Sequence, residues 1–294
     1  MKKKILAGIV VFNPETNLIN LVDSLVLQNV KVFLYINKTN SISELILRTR
    51  KVDFHRSTTN DGISKAINII IKEFNKINYD YLFAFDQDSM IDNNYVKIMI
   101  YNFENALKVN KNTVSFAPHI IDEKFDNEEL IKKKASQKQN LMHYKEVNYS
   151  ITSGSLFTQN SFLKVGKMNE KLFIDLVDMD WCERAKKNNC KLFRSKNVFL
   201  KHKIGNKYIK FLGIKKSYHQ LDLRVYYIIR NSIYLILFGN NSINWKLERT
   251  FKVIIQLFAY PLLSLKKVET ILIIIYAIKD ALIKQMGKMK YINH

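Results

Sequence analysis

Two carboxylates spaced i, i+2 stand directly after an apolar run: Asp86-Gln87-Asp88-Ser89 follows Tyr81-Leu82-Phe83-Ala84-Phe85. Acids in that spacing at the mouth of a buried strand suit a hard divalent cation, the natural partner of a nucleotide diphosphate. The same pattern also occurs where an acidic turn merely solvates a loop. A second acidic group lies in Phe173-Ile174-Asp175-Leu176-Val177-Asp178-Met179-Asp180-Trp181-Cys182-Glu183-Arg184, where a helical pattern opens. A carboxylate there, beside an aromatic able to stack on a sugar ring, has what a general base for a hydroxyl requires. Asp178 or Asp180 could fill that place, or either could complement the helix dipole.

Three more constellations accompany the acids. Asn60-Asp61-Gly62-Ile63-Ser64-Lys65 is a glycine-containing turn into a helix, offering N–H groups and a lysine to phosphate, or else an ordinary capped helix. Ile151-Thr152-Ser153-Gly154-Ser155 is a small-residue kink, where Gly154 lets the backbone approach a sugar or simply forms a bulge. His202-Lys203-Ile204-Gly205 precedes Arg224-Val225-Tyr226-Tyr227-Ile228-Ile229-Arg230-Asn231. A histidine can complete a carboxylate-held metal site, and arginine can grip a diphosphate through paired donors. Arg224 and Arg230 do not share a helix face closely, so one of them is expected at the phosphate.

Hydrophobic periodicity predicts the elements that must position these groups. Strands are expected at Ile5 to Val11, Val32 to Ile36, Val52 to His55, Tyr81 to Phe85 and Val114 to Ala117. Helices are expected behind a cap at Thr16 or Asn17, and over Ser43 to Arg50, Gly62 to Phe74 and Asn93 to Val109. This alternation implies an α/β fold with a mostly parallel sheet and helices on both faces. Ligands of such sheets sit beyond the carboxyl ends of the strands, where Asn13, Asn37, Asn60 and Asp86 to Ser89 would gather. Asp122 to Glu146 is polar and Lys-rich, as a surface excursion would be. Order resumes at Val147 to Thr158, with a helix at Val177 to Lys187 and short strands at Lys191 to Phe193 and Val198 to Lys201. The pattern divides the chain into a domain over 1–220 and a C-terminal helical, amphipathic region over 221–294.

That region holds Val225 to Phe238, Phe251 to Leu265 and Thr270 to Ile283, each interrupted by polar residues or Pro261 and too short in apolar length to span a bilayer. Two readings fit: interfacial helices with Lys266, Lys267, Lys279, Lys284, Lys288 and Lys290 toward anionic lipid, or a helical cap on the domain. The chain of 294 residues carries a formal charge of +21, which calls for an anionic partner or surface. No acid occurs between Glu183 and Asp222, a stretch that holds twelve lysines and arginines. A non-catalytic basic protein binding nucleic acid or lipid is the reading from another class; it gives no account of the ordered acids Asp86, Asp88, Asp178 and Asp180, which would repel a polyanion. Cys182 and Cys190 match neither a zinc pair nor a redox motif, and suit packing thiols in a reducing compartment. Asn13-Pro14-Glu15 follows the first apolar run where a signal peptide would carry a small-residue cleavage site, so a cytoplasmic location is expected. A glycine-rich dinucleotide turn is likewise missing after that run.

Taken in chain order, Val10-Val11-Phe12-Asn13-Pro14, Asn60-x-Gly62-Ile63-x-Lys65-Ala66-x-Asn68, Asp86-Gln87-Asp88-Ser89, Ser153-Gly154, Phe173-Ile174-Asp175-x-x-Asp178-x-Asp180-Trp181-Cys182-x-Arg184, His202-x-x-Gly205 and Arg224-x-Tyr226-Tyr227-x-x-Arg230-Asn231 resemble the family-2 glycosyltransferases, and more narrowly their bacterial rhamnosyltransferase-like branch. The resemblance implies a GT-A fold and an inverting transfer from a nucleotide-sugar, most narrowly L-rhamnose from dTDP-rhamnose, with a hexosyl or galactofuranosyl donor as the alternative. It places Asp86 near the ribose, Asp88 on Mg2+ or Mn2+ with Asp86 and His202 as further ligands, and Asp178 as the base. It places Asn13, Asn37, Asn60, Gly62, Lys65 and Arg230 at the donor, and Ser153, Gly154, Asp180 and Trp181 at the acceptor. One departure stands out. Ile36-Asn37-Lys38-Thr39-Asn40 occupies the place of an Asp-Asn-Gly-Ser-like turn, so Asn37 is left to hydrogen-bond the base. The acceptor implied is an undecaprenyl-diphosphate-linked or other glycan at the inner face of the cell membrane.

Overall fold

The computed structural model describes residues 3–13, 17–37, 52–122, 143–202, 207–211, 214–218 and 222–291, with the side chains of 122, 202, 207–211, 214–218 and 222 left aside. In chain order the elements are β1 (Ile5–Val11), α1 (Asn17–Leu27), β2 (Lys31–Ile36), β3 (Asp53–Arg56), α2 (Gly62–Ile77), β4 (Tyr81–Asp86), β5 (Met90–Ile91), α3 (Tyr95–Val109), β6 (Thr113–Asp122), β7 (Tyr144–Glu146), β8 (Ser155–Phe157) and α4 (Gln159–Val165). There follow α5 (Val177–Lys187), β9 (Lys191–His202), β10 (Lys207–Phe211), β11 (Ile214–Tyr218), α6 (Asp222–Phe238), α7 (Ile243–Leu263) and α8 (Lys267–Leu282). The helix expected over Ser43 to Arg50 and most of the Lys-rich stretch lie outside the described residues.

The contacts group the chain into two compact units, residues 1–168 with 185–203, and residues 169–184 with 204–294. A break at 220 alone, expected from composition, therefore gives way to a division in which the segment carrying Asp175, Asp178 and Asp180 groups with the C-terminal helices.

The first unit is built on a nine-stranded sheet in the order β3-β2-β1-β4-β8-β6-β9-β5, with β7 paired to β9. Its first half is parallel: Val11 of β1 lies opposite Ile36 of β2, Ile36 opposite Arg56 of β3, and Val10 opposite Asp86 of β4. β8 then runs antiparallel between β4 and β6. β1 is buried on both faces, so it reads as a continuous apolar run. Ala7, Ile9 and Val11 pack with Leu21, Val22 and Leu25 of α1 and Met99 and Phe103 of α3. On the opposite face α2 comes so close that a Cβ on Gly8 would stand 2.2 Å from Ile70 Cγ2. Only glycine admits that approach.

The two short strands expected near 191 and 198 are the ends of one twelve-residue β9. Its register against β6 breaks where Ala117 gives way to His119. Pro118, between them, has no N–H for the ladder. Opposite this break Ser195 Oγ accepts from the N–H groups of Asn197 and Val198, folding the extra residues into a local turn.

The second unit consists of residues 169–184, the antiparallel ribbon β10–β11, and the helices α6, α7 and α8. Val225, Tyr226 and Ile229 of α6 form its core with Val253 of α7 and Ile273, Ile274 and Ala277 of α8.

Candidate active site

The strand order places a topological switch point at the carboxyl ends of β1 and β4: the chain steps outward from β1 to β2 and β3, then returns to the other side of β1 as β4. Open α/β sheets bind ligands in that crevice. Phe12 and Asn13 end one side of it, and Asp86 to Ser89 end the other.

A side chain stitches the two ends together. Gln87 Oε1 accepts from the Phe12 N–H at 2.7 Å, and Gln87 Nε2 donates to the Phe12 carbonyl at 2.8 Å. The amide thus extends the ladder by one rung, while the flanking Asp86 and Asp88 sit in a turn closed by Ser89 N–H on the Asp86 carbonyl. Asn13, with a φ of 48°, is the exposed residue next to this rung.

Below the turn, Ser153 Oγ accepts from the Asp86 N–H at 3.0 Å and meets Ser89 Oγ at 2.9 Å. Gly154 N–H donates to the Ala84 carbonyl, and the buried Tyr95 hydroxyl donates to the Gly154 carbonyl at 2.7 Å. Gly154 has a φ of +74°, and a Cβ there would meet Tyr95 Oη at 2.5 Å and Pro118 Cγ at 2.9 Å. The Ser153-Gly154 kink therefore braces the acidic turn from within the protein. The expected approach of Gly154 to a sugar is taken instead by these neighbours.

Along the ends of β2 and β3 runs a second network. Asn37, 2% exposed, accepts the Asp61 N–H on Oδ1, so that oxygen is not open to the base as the sequence led us to expect. Asn60 Oδ1 accepts from Gly62 N–H, and Gly62 starts α2 with a φ of 77°. The Asp61 carboxylate receives Tyr35 Oη at 2.6 Å, Ser57 Oγ at 2.7 Å and Lys65 Nζ at 3.0 Å. Lys65, expected at the phosphate, is thus held by an acid at i−4. Burial would raise the Asp61 pKa, but the hydrogen bonds from Tyr35, Ser57 and Lys65 hold it well below the usual carboxylate range. A depressed pKa stabilises the fold above the unfolded value, and that contribution fades as pH falls. The melting temperature of the chain should therefore exceed that of an Asp61→Ala variant at neutral pH, with the gap narrowing from about pH 5 to about pH 3. Thermal melts across that range measure it.

In the second unit, Asp178 lies half-buried in the first turn of α5, its Oδ1 accepting from Met179 N–H at 2.9 Å. The approach to it is strained. Phe173 (φ 63°, ψ −65°) centres a γ-turn closed by Ile174 N–H on the Leu172 carbonyl at 2.7 Å, and Asp175 and Leu176 also have positive φ. Strain of this kind persists only where neighbours over-determine it. Here α6 does so. Asn231 Nδ2 donates to the carbonyls of Leu172, Ile174 and Asp175 at 2.9, 2.8 and 3.0 Å. Arg224 forks onto Asp175 at 2.8 and 2.6 Å, and Tyr227 stacks on Phe173 with ring centroids 5.0 Å apart.

Arg230 belongs to the same clamp, which corrects its expected place at the donor. It is 0% exposed and donates to the Gly287 carbonyl at 2.6 Å, the Leu172 carbonyl at 3.2 Å and Asn231 Oδ1 at 3.0 and 2.9 Å. A guanidinium with these donors committed inside the protein cannot grip a diphosphate. Trp181 is corrected likewise: at 2% exposure its ring has no face for a sugar. Asp180 is buried and paired with Arg184 at 3.0 Å; burial raises its pKa against the pull of that guanidinium. It lines a cavity of about 170 Å3 with Glu183, Arg184, Tyr234 and Asn241, two residues along α5 from Asp178 and so on the other side of the helix. The side chain of His202, the last residue of β9, lies outside the described residues. Gln87, Asp61 and Asn231 were not singled out by the sequence; the only signal for Gln87 was its place between two acids.

An α/β sheet with a paired-acid turn at its switch point fits the GT-A class of sugar-transferring folds that the resemblance implies. No family model matches the chain. Among curated proteins, the dTDP-rhamnosyl transferase RfbF of Shigella flexneri is 31% identical over 245 residues, which is 80% of this chain and 81% of the relative. Among solved structures, TarS 1-349 of S. aureus in complex with UDP-GlcNAc aligns with a TM-score of 0.57 at 12% identity, over 95% of this chain and 80% of that one. GalNAc-T7 with UDP, GalNAc and Mn2+ aligns with a TM-score of 0.53 at 12% identity, over 88% and 57%. The chain spans 44% of the longer TarS structure. The solved structures carry the fold, and the curated relative carries the family: the chain belongs to the family-2 glycosyltransferases, in their rhamnosyltransferase-like branch. It is a glycosyltransferase, which sets aside a non-catalytic basic binding protein.

Proposed function

We propose that the chain transfers L-rhamnose from dTDP-rhamnose, with inversion, to a hydroxyl of a glycan carried on an undecaprenyl-diphosphate lipid at the cytoplasmic face of the membrane, as a step in cell-surface polysaccharide synthesis. The observation that carries the donor is the 31% identity to a dTDP-rhamnosyl transferase over four fifths of both chains. The lysine-flanked C-terminal helices support the lipid-linked acceptor.

In this reading Phe12, Asn13 and Asp86 line the nucleotide at the switch point, with Asp86 toward the ribose. Asp88 would hold Mg2+ or Mn2+. Among the described residues no group of three or more His, Cys, Asp or Glu could hold a metal by itself. A cation bound through one or two carboxylates would take diphosphate oxygens and water as its other ligands. When bound, it would neutralise charge on the departing diphosphate. Asp178 takes the proton of the acceptor hydroxyl as that oxygen bonds to the anomeric carbon and the bond from that carbon to the diphosphate oxygen breaks. The product is the glycoside of opposite anomeric configuration plus dTDP.

Titration calorimetry of dTDP-rhamnose, with and without a chelator, tests this. Binding should need the metal, and Asp88→Ala should weaken it by about tenfold or more, or about 1.4 kcal/mol. Turnover of UDP-hexoses without turnover of dTDP-rhamnose would overturn the donor assignment.

A further inference from the structure

Among the described residues no helix is long and apolar enough to cross a membrane, yet α7 and α8 each expose large apolar side chains along one face. On α7 the stripe is Ile243, Leu247, Phe251, Ile254, Phe258 and Leu262, with Phe251 66%, Phe258 68% and Leu262 74% exposed. These positions repeat every three or four residues and so share one face, opposite the buried Trp245, Arg249 and Val253. On α8 Val268, Ile271, Leu272, Ile275, Leu282 and Ile283 share the face opposite Ile273, Ile274, Ala277 and Ala281. Both helices bury their inner faces against α6, so both stripes lie on sides turned away from it. A water-soluble monomer rarely exposes so much contiguous apolar surface without a partner.

The charges around the stripes select the partner. Lys266, Lys267, Lys284, Lys288 and Lys290 are exposed at the ends of α8 and beyond it, and Lys279 lies within its outer face on a stem long enough to lift the ammonium to one side. The acids Glu248 and Glu269 are each tied to a lysine, and Asp280 is buried beneath the hydroxyls of Tyr226 and Tyr291. A second copy of the chain on this face would set lysine rims against one another. An anionic lipid surface instead meets the lysines with headgroup phosphate and the stripes with acyl chains. We infer that the outer faces of α7 and α8 form an in-plane docking surface for an anionic bilayer. This deepens the lipid-linked acceptor reading and rests on it for its purpose, since it brings the enzyme to the layer in which such an acceptor lies.

The full chain should co-sediment with phosphatidylcholine vesicles containing phosphatidylglycerol about tenfold or more better than with phosphatidylcholine alone, and added salt should weaken the binding. A Phe251→Ser, Phe258→Ser, Leu262→Ser variant should keep its melting temperature and its binding of dTDP-rhamnose while losing the vesicles. Absence of vesicle binding by the unaltered chain would overturn the inference, as would unchanged binding by the triple variant. So would a dimer of the unaltered chain, seen by sedimentation, that the triple variant dissolves. Vesicle binding by a chain that binds no nucleotide-sugar would leave this surface standing and sink the donor assignment instead.

Discussion

Asp178→Asn should lower the turnover number by about a hundredfold to ten-thousandfold, the range associated with loss of a general base. The asparagine keeps the shape of the carboxylate and an oxygen that can accept the Met179 N–H, so the opening of α5 stays intact. What it removes is the capacity to take a proton. Affinity for dTDP-rhamnose and the melting temperature should therefore hold while single-turnover transfer fails. Full turnover by the variant would take the proton-accepting role from Asp178. Asp180 is the instructive control: its partner is Arg184, and Asp180→Asn should act on stability through that buried pair more than on the chemical step.

The second large effect is expected at Asn231, which touches no reacting atom in the proposed mechanism. Its single amide nitrogen satisfies three carbonyls of the strained segment ahead of α5, and its oxygen receives two nitrogens of Arg230. Each buried polar group left without a partner costs about 1–3 kcal/mol, so Asn231→Ala should destabilise the chain by about 3 kcal/mol once local relaxation is allowed for. Asn231→Asp separates donor from volume: the shape is kept, but a carboxylate facing three carbonyl oxygens cannot donate. It should reproduce the loss. Below the melting transition both variants should show a reduced turnover number with donor affinity little changed, because the clamp holds the segment that leads to Asp178 and lies in a different unit from the switch point. Calorimetric melts with steady-state kinetics read both quantities.

The elements of the first unit were legible because their signals are local. A centrally placed strand such as β1 must be apolar throughout, and α2 must repeat apolar residues at helical spacing to cover it. The place of Asp86 and Asp88 at the carboxyl end of β4 was legible for the same reason: they directly follow a buried apolar run. The misreadings share a different cause. Arg230 and Trp181 were judged by what their side chains can do, whereas burial decided what they do; for Arg230 that burial comes with partners 58 and 57 positions away, Leu172 and Gly287. Asn37 and Lys65 were spoken for by Asp61, whose role depends on strand β2 lying beside β3 and the start of α2. The single strand β9 read as two because Ser195 to Asn197 loop out opposite Pro118, breaking the hydrophobic pattern without breaking the strand.

One helix, α6, meets both ends of the second unit's work. Its Arg224, Arg230 and Asn231 hold the segment before Asp178, and its Val225 and Ile229 support the two helices whose outer faces are apolar. The surface proposed for docking and the segment carrying the proposed base thus rest on one helix, so a change that loosens the packing of α6 would reach both.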